Sequence, residues 1–284
     1  MIKVNDMLYG SVMLPAVFKK LLETPAMKRL AGIHQSGAIF LVNPDIQHTR
    51  LEHSIGVCLL VRMLGGTEEE QIAGLLHDVS HTAFSHVADY VFANEAEDYH
   101  EQIFKEVVQR SEIPAILDKY GYCVDRLFQA EFSILEQPLP YLCADRLDYT
   151  LRDALHTGMI GRGEAGAFLK SCTTHEGCIV VTNEEKAGWI DSVFARLNAE
   201  FFMNPLYLYA NKRMAVLIGQ LLERGQLSES DLLKDDTALL NKIRSTAEGR
   251  EAIQAIRRQE GYQAFLKKEQ PLQIKKRFLR ALFI

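Results

Sequence analysis

The sequence predicts an all-α fold that carries one small β-hairpin. Three observations point there. Apolar residues recur at helical spacing through most of the 284 residues, and 48% of the chain is hydrophobic, enough for a sizeable core. Helix start and stop signals punctuate those runs: Thr24-Pro25, Thr49, Gly65-Gly66, Thr67 ahead of three glutamates, and Gly121. At 171–181, by contrast, β-branched residues flank a Gly-bearing turn, which reads as strand, turn, strand.

In order along the chain, residues 1–12 read as extended, with Asn5-Asp6 as a turn signal. Val17, Phe18, Leu21 and Leu22 have helical spacing, and Pro25 opens a second short helix. Gly37 breaks the pattern, leaving 38–42 as a short strand or a buried loop. Thr49 caps a helix from about Arg50 to Leu64, and Thr67 caps the next, with acids in its first turn, running to His77. Further helices are expected around Ile103–Val108, over 113–120, from Tyr141 to about His156, from Trp189 to Phe202, and over 206–222. Residues 158–164 read as a loop. The tail from 226 is helix-prone and charge-rich, and its Lys267-Lys268 and Lys275-Lys276-Arg277 read as solvated faces. These limits divide the chain into 1–225, which includes the hairpin near 171–181, and a helical extension at 226–284 packed on it.

A net charge of −5 disfavours general nucleic-acid binding. Five cysteines without a CxxC pair suggest reduced thiols. Cys172, His175 and Cys178 match no standard zinc spacing, and a hairpin explains them. No signal-peptide core and no run of ~18–20 apolar residues is evident, so a cytoplasmic protein with no membrane partner is expected.

Chemistry concentrates in 49–89, which holds four of the nine histidines: His53, His77, His81 and His86. Asp78 follows His77 directly. Adjacent side chains do not share one face of a straight helix, so a bend there would let both reach one ion. His86 and Asp89 are three apart, as a carboxylate-oriented imidazole would be. A second polar stripe runs through Asp145, Asp148 or Tyr149, and Arg152. Two imidazoles and two carboxylates supply four N/O ligands for a divalent metal with positions left for water and substrate.

The motifs RLEHSIGV, LLHDVSHTAFSH and CADRLDYTLRD resemble the HD-domain metal-dependent phosphohydrolases, and within them the deoxynucleoside triphosphate triphosphohydrolase branch. TPAMKRLAGIHQSG, HEQ at 100–102, the strand–turn–strand and LYANKR extend the resemblance over roughly residues 1–215. It implies an HD-domain helical bundle and metal ligands His53, His77, Asp78 and Asp145, with Asp148 as a decoy three positions on. It implies active-site roles for His81, His86, Asp89 and His100, with His86 as general acid oriented by Asp89. Arg50, Arg146 and Lys212 would hold phosphate charge. Gln35, Tyr149, Asp153 and Tyr209 match sugar-side or base-side positions. The substrate implied is a nucleotide, the reaction release of nucleoside and triphosphate, and the cofactor a divalent ion among iron, manganese, nickel, zinc and magnesium. Homo-oligomerisation is open by analogy alone.

Two features depart from the branch. Ser36 stands where the pattern has a Leu beside the sugar, so a 2′-OH gains room. The chain also lacks the branch's long C-terminal region, so nucleotide-driven assembly is not implied. The rivals are hydrolysis of another phosphate ester (a monophosphate, an alarmone or a cyclic dinucleotide) and a nucleotide sensor without catalysis.

Overall fold

The computed structural model describes residues 1–268 and 277–284; Lys275 and Lys276 lie outside them. Sixteen α-helices make up most of the described chain, and strands are confined to two small sheets. The all-α class is therefore what the sequence adopts, with one added element. An N-terminal hairpin pairs Ile2–Asp6 antiparallel with Gly10–Leu14. Its turn lies beyond the Asn5-Asp6 signal, where Asp6 Oδ1 accepts from the amides of Leu8 and Tyr9.

The Arg50–Met63 helix is the centre of the fold. Thr49 and Glu52 form a reciprocal capping box at its start. It packs between the Glu68–Leu76 and Ala144–His156 helices. Gly56 permits that approach: a Cβ there would sit 2.0 Å from Arg152 Nη2 and 2.2 Å from Asp148 Oδ1. The face of Ala144–His156 that reads as a polar stripe is thus turned inward, with Asp148 and Arg152 buried.

The bend at His77-Asp78 is present. Glu68–Leu76 ends with His77 as its C-cap, and the next helix, Val87–Val91, begins after His86. Between them Phe84 and Ser85 both adopt positive φ, 60° and 53°. Such backbone is uncommon for non-glycine residues and needs support from its surroundings.

Several limits differ from expectation. The helix expected from Tyr141 starts at Ala144, because Cys143 is still extended as its N-cap. The expected loop at 158–164 is shorter, since Arg162–Leu169 is helical and Gly161 N donates to Glu164 Oε2. Of the two alternatives at 38–42, the strand does not form: the segment is buried, and Gly37–Leu41 winds into a 3-10 turn. The hairpin forms as Cys172–His175 against Cys178–Val181, with Glu176 and Gly177 at positive φ in its turn. Leu282–Phe283 then adds a third strand, parallel to the second, and Leu279 and Ala281 are buried in the same apolar cluster as Leu147 and Ile190.

The Pro205–Glu223 helix packs on Val87–Val91 and Gly37–Leu41, and the Ala247–Arg257 and Tyr262–Lys268 helices cover its other side. Among the described residues, no helix is long and apolar enough to cross a membrane.

Candidate active site

Four side chains from three elements meet beneath a cavity of about 1110 Å³. His53 comes from Arg50–Met63, His77 and Asp78 from the bend, and Asp145 from the first turn of Ala144–His156. His53 Nε2 lies 2.9 Å from Asp145 Oδ1 and 3.3 Å from His77 Nε2. His77 Nε2 is 3.4 Å from Asp145 Oδ1 and 3.5 Å from Asp78 Oδ1, and Asp78 Oδ2 is 3.7 Å from His53 Nε2. Metal bonds of about 2.0–2.2 Å place neighbouring ligand atoms roughly 3.0–3.5 Å apart, so the donor types and the spacing fit one divalent ion.

The far side of each imidazole is fixed. His53 Nδ1 lies 2.8 Å from Asp148 Oδ2, and His77 Nδ1 is 2.8 Å from the Gly74 carbonyl. Each ring therefore points Nε2 at the cage, as second partners do in metal sites. Asp148 is itself held by Arg152, whose Nη2 also reaches Asp6, and by the Tyr9 hydroxyl at 2.8 Å. Burial works against the charged form of His53, but hydrogen bonds to Asp145 and Asp148 outweigh it and push its pKa up to about 10. Burial likewise opposes the ionised Asp78, yet Arg50 and His77 hold it well below the usual carboxylate range. The cage is built for positive charge.

On the wall above, His86 Nδ1 is 2.9 Å from Asp89 Oδ2, and the His86 side chain is 46% exposed, so its other nitrogen is open to the cavity it lines. Asp89 Oδ1 accepts from Asn94 and from the Tyr99 amide. His81 and His100 stack at 3.8 Å, and His81 Nε2 lies 3.2 Å from Asp78 Oδ1. Burial above all holds both rings below the ordinary imidazole pKa, with His100 at about 3. They are neutral at pH 7.

Gln35, Arg50, Arg146, Tyr149 and Asp153 also line the cavity. Arg50 is committed inside the protein: Nη1 donates to Asp78, Nε to Ser85 Oγ, and Nη2 to the Gln35 carbonyl. Arg146 Nη1 donates to the carbonyls of Gln137 and Tyr141. Asp153 Oδ1 is 2.5 Å from His48 Nε2.

Two expected residues do not face this space. Tyr209 is buried, its hydroxyl donates to the Glu260 carbonyl, and its ring meets Tyr262 and Phe265 edge-on. The Lys212 ammonium lies 5.9 Å from the centre of the Phe265 ring. The reason is helical register: the cavity takes Tyr207, Leu208 and Asn211 from that helix, and the C-terminal helices take the opposite side. Arg277, expected on a solvated face, lines the cavity and ion-pairs with Glu97, whereas Lys267 and Lys268 are exposed. The residues that sequence reasoning missed are Asp148 as the orienting partner of His53, together with Asp6, Tyr9, Arg152 and His48. The i, i+4 pairing of Asp148 with Arg152 was the one local signal available.

The HD domain family matches residues 50–152, a span that begins on Arg50, contains all four cage residues and ends on Arg152. The metal-dependent phosphohydrolase cns2 of Cordyceps militaris is 33% identical over 267 residues, covering 90% of this chain and 77% of that protein. The chain belongs to the HD-domain family of metal-dependent phosphohydrolases. This HD protein is also 47% identical over 246 residues to the uncharacterized protein YdhJ of Bacillus subtilis, covering 86% of the chain and 76% of that relative. The deoxynucleoside triphosphate triphosphohydrolase SAMHD1 of Homo sapiens is more distant: 27% identical over 252 residues, covering 69% of this chain and 40% of SAMHD1. A hypothetical protein from Aquifex aeolicus shares the fold, with a TM-score of 0.69 at 23% identity over 91% of this chain and 76% of that one.

Proposed function

We propose that this HD phosphohydrolase acts on nucleotides, with a deoxynucleoside or nucleoside triphosphate as substrate and nucleoside plus inorganic triphosphate as products. One arrangement carries the reading. Ligand-type atoms 2.9–3.7 Å apart form the floor of a cavity whose wall presents a carboxylate-oriented imidazole. His53, His77, Asp78 and Asp145 would hold the divalent ion, which supplies a Lewis acid for a phosphoryl oxygen and lowers the pKa of water.

The remaining work falls to this chain's own side chains. Asp89 occupies Nδ1 of His86, so Nε2 is the atom that protonates the departing 5′-oxygen. Neutral His81 and His100 form a stacked wall beside Asp78 that contacts phosphate without adding charge. Gln35, Tyr149 and Asp153 border the space for sugar and base, and the Asp153 carboxylate suits a sugar hydroxyl. Ser36 lines the same cavity and leaves room for a 2′-OH, so ribonucleotides enter alongside deoxynucleotides.

A second reading, a nucleoside monophosphate, is favoured by a specific observation. Arg50 is spent on Asp78, Ser85 and Gln35, Lys212 does not line the cavity, and Glu101 and Glu131 do, while Glu97 is paired with Arg277. A polyphosphate entering past those carboxylates meets like charge. Incubation with ribo- and deoxynucleoside mono- and triphosphates under Mn²⁺, Mg²⁺, Ni²⁺, Fe²⁺ and Zn²⁺, with ion chromatography of the products, separates the two. Inorganic triphosphate is the expected product. Orthophosphate from monophosphates alone replaces the first reading with the second, and nucleotide binding without any product overturns both.

A further inference from the structure

The turn that follows His77-Asp78 carries a metal-cage residue at one end and His86 at the other, and it is held from outside the 50–152 segment. From the N-terminal side, Arg29 Nη2 donates to the Val79 carbonyl at 2.8 Å and Nη1 to the His81 carbonyl at 2.6 Å. From the C-terminal side, the Leu232 carbonyl accepts from Ala83 N at 2.8 Å. Asp236 opens the Asp236–Arg244 helix and is buried. Its Oδ1 accepts from Phe84 N at 2.6 Å, and its Oδ2 accepts from His34 N at 2.9 Å and lies 2.7 Å from His34 Nδ1.

These bonds fall on the part of the turn that needs them. Among the described residues, Phe84 and Ser85 are the consecutive non-glycine pair at positive φ, a strained conformation that persists only where the surroundings over-determine it. Ser85 passes the constraint on. Its hydroxyl donates to the His34 carbonyl at 2.6 Å and accepts from Arg50 Nε at 2.9 Å, and Arg50 Nη1 donates to Asp78 Oδ2 at 2.8 Å. A continuous path of hydrogen bonds thus runs from Asp236 through the strained pair to a carboxylate of the cage.

We infer that Asp236 is a positioning residue for the metal centre, acting through the Phe84-Ser85 turn and Arg50 on Asp78, with Arg29 as the matching clamp from the other side. The requirement is chemical. Both carboxylate oxygens face backbone N–H donors, so an amide of the same shape puts its NH₂ against one of them. Outer partners of metal ligands typically contribute 10–100-fold to metal affinity.

The test uses the full chain and Mn²⁺ alone, so it does not depend on which phosphate ester is the substrate. Mn²⁺ binding is measured by titration calorimetry for the wild type, Asp236→Asn, Arg29→Met and Asp231→Asn. Asp231 lies in the same segment and is as buried, but its carboxylate accepts from Ser228 N and ion-pairs with Lys234 and Lys242, and none of these bonds reaches the turn. It therefore controls for loss of stability. The dissociation constant for Mn²⁺ is expected to rise about tenfold in Asp236→Asn and Arg29→Met and to stay at the wild-type value in Asp231→Asn. Amide exchange at 83–86 should quicken in Asp236→Asn. Wild-type affinity in a folded Asp236→Asn protein overturns the inference. Should that variant fail to fold, Arg29→Met decides it in the same way.

Discussion

At the scale of single residues, Asp145 and Asp148 show how position on a helix divides one residue type into two roles. They sit three apart, and both reach His53, but at opposite ring nitrogens. Asp145 faces the cage and the cavity. Asp148 is fully buried behind the ring and tied to Arg152 and Tyr9. Asp145→Ala should therefore abolish both metal retention and turnover, read by metal analysis of the purified protein. Asp148→Asn should keep the fold but weaken metal binding roughly 10–100-fold, because the second carboxylate sets the ring's orientation and basicity. His86 divides from these in another way. His86→Ala should leave Mn²⁺ affinity at the wild-type value and lower kcat by about 10²–10⁴ on the substrate identified from the nucleotide panel. An equal loss of metal in that variant would place His86 in the cage instead of on the proton path.

At the scale of elements, the site depends on how closely two helices approach. Gly56 on Arg50–Met63 faces Arg152 and Asp148 on Ala144–His156, and the room for one methyl group is already filled by their charged atoms. Gly56→Ala would normally favour a helix by about 1 kcal/mol. Here it must push apart a buried ion pair, and overpacking together with a broken buried pair costs about 3 kcal/mol or more. Urea unfolding should show that net loss, and the same variant should lose metal because His53 and Asp145 ride on the two helices. Gly163 lies in the Arg162–Leu169 helix with open space around it, so Gly163→Ala is the control that should show the ordinary gain. Sequence reasoning reached both helices and the Thr49 cap of the first, but it started the second at Tyr141 and missed its Cys143 cap. It did not reach Gly56's role, because nothing within the helix itself says what lies across from it.

At the scale of the molecule, the same distinction separates what was legible from what was not. His53, His77, Asp78 and Asp145 were named as ligands by the resemblance of their three motifs to the HD family, and folding brings those side chains together. The register of Pro205–Glu223 was not legible: Tyr207, Leu208 and Asn211 face the cavity while Tyr209 faces the C-terminal helices, a choice made by long-range packing. Asp236 and Arg277 were hidden in a charge-rich tail whose pattern reads as solvent-facing until the chain end returns to the body through Leu282–Phe283.

Folding His100 into this body adds an acid-sensitive contribution to the stability of the whole protein. His100 has a folded pKa of about 3, set by burial and then by its neighbour His86, against about 6.5 for an unfolded histidine. Between those values unfolding takes up a proton that the native state refuses. Stability from this group is fully present above pH ~6.5 and is lost as the pH falls toward 3, at up to about 1.4 kcal/mol per pH unit. Asp148, lowered to about 2 by Arg152 and His53 against its burial, adds a further loss only below about pH 4. Urea unfolding of the metal-free chain at pH 7.5 and pH 5.5 isolates this group only by comparison with His100→Gln, because His53, pushed up to about 10, and Glu136, pushed up to about 8, gain stability over the same interval. Relative to the wild type, His100→Gln should raise the unfolding free energy at pH 5.5 against that at pH 7.5 by the share of one proton. A difference unchanged by that substitution would mean that His100 takes up its proton at the same pH folded as unfolded, so that burial does not hold the ring neutral.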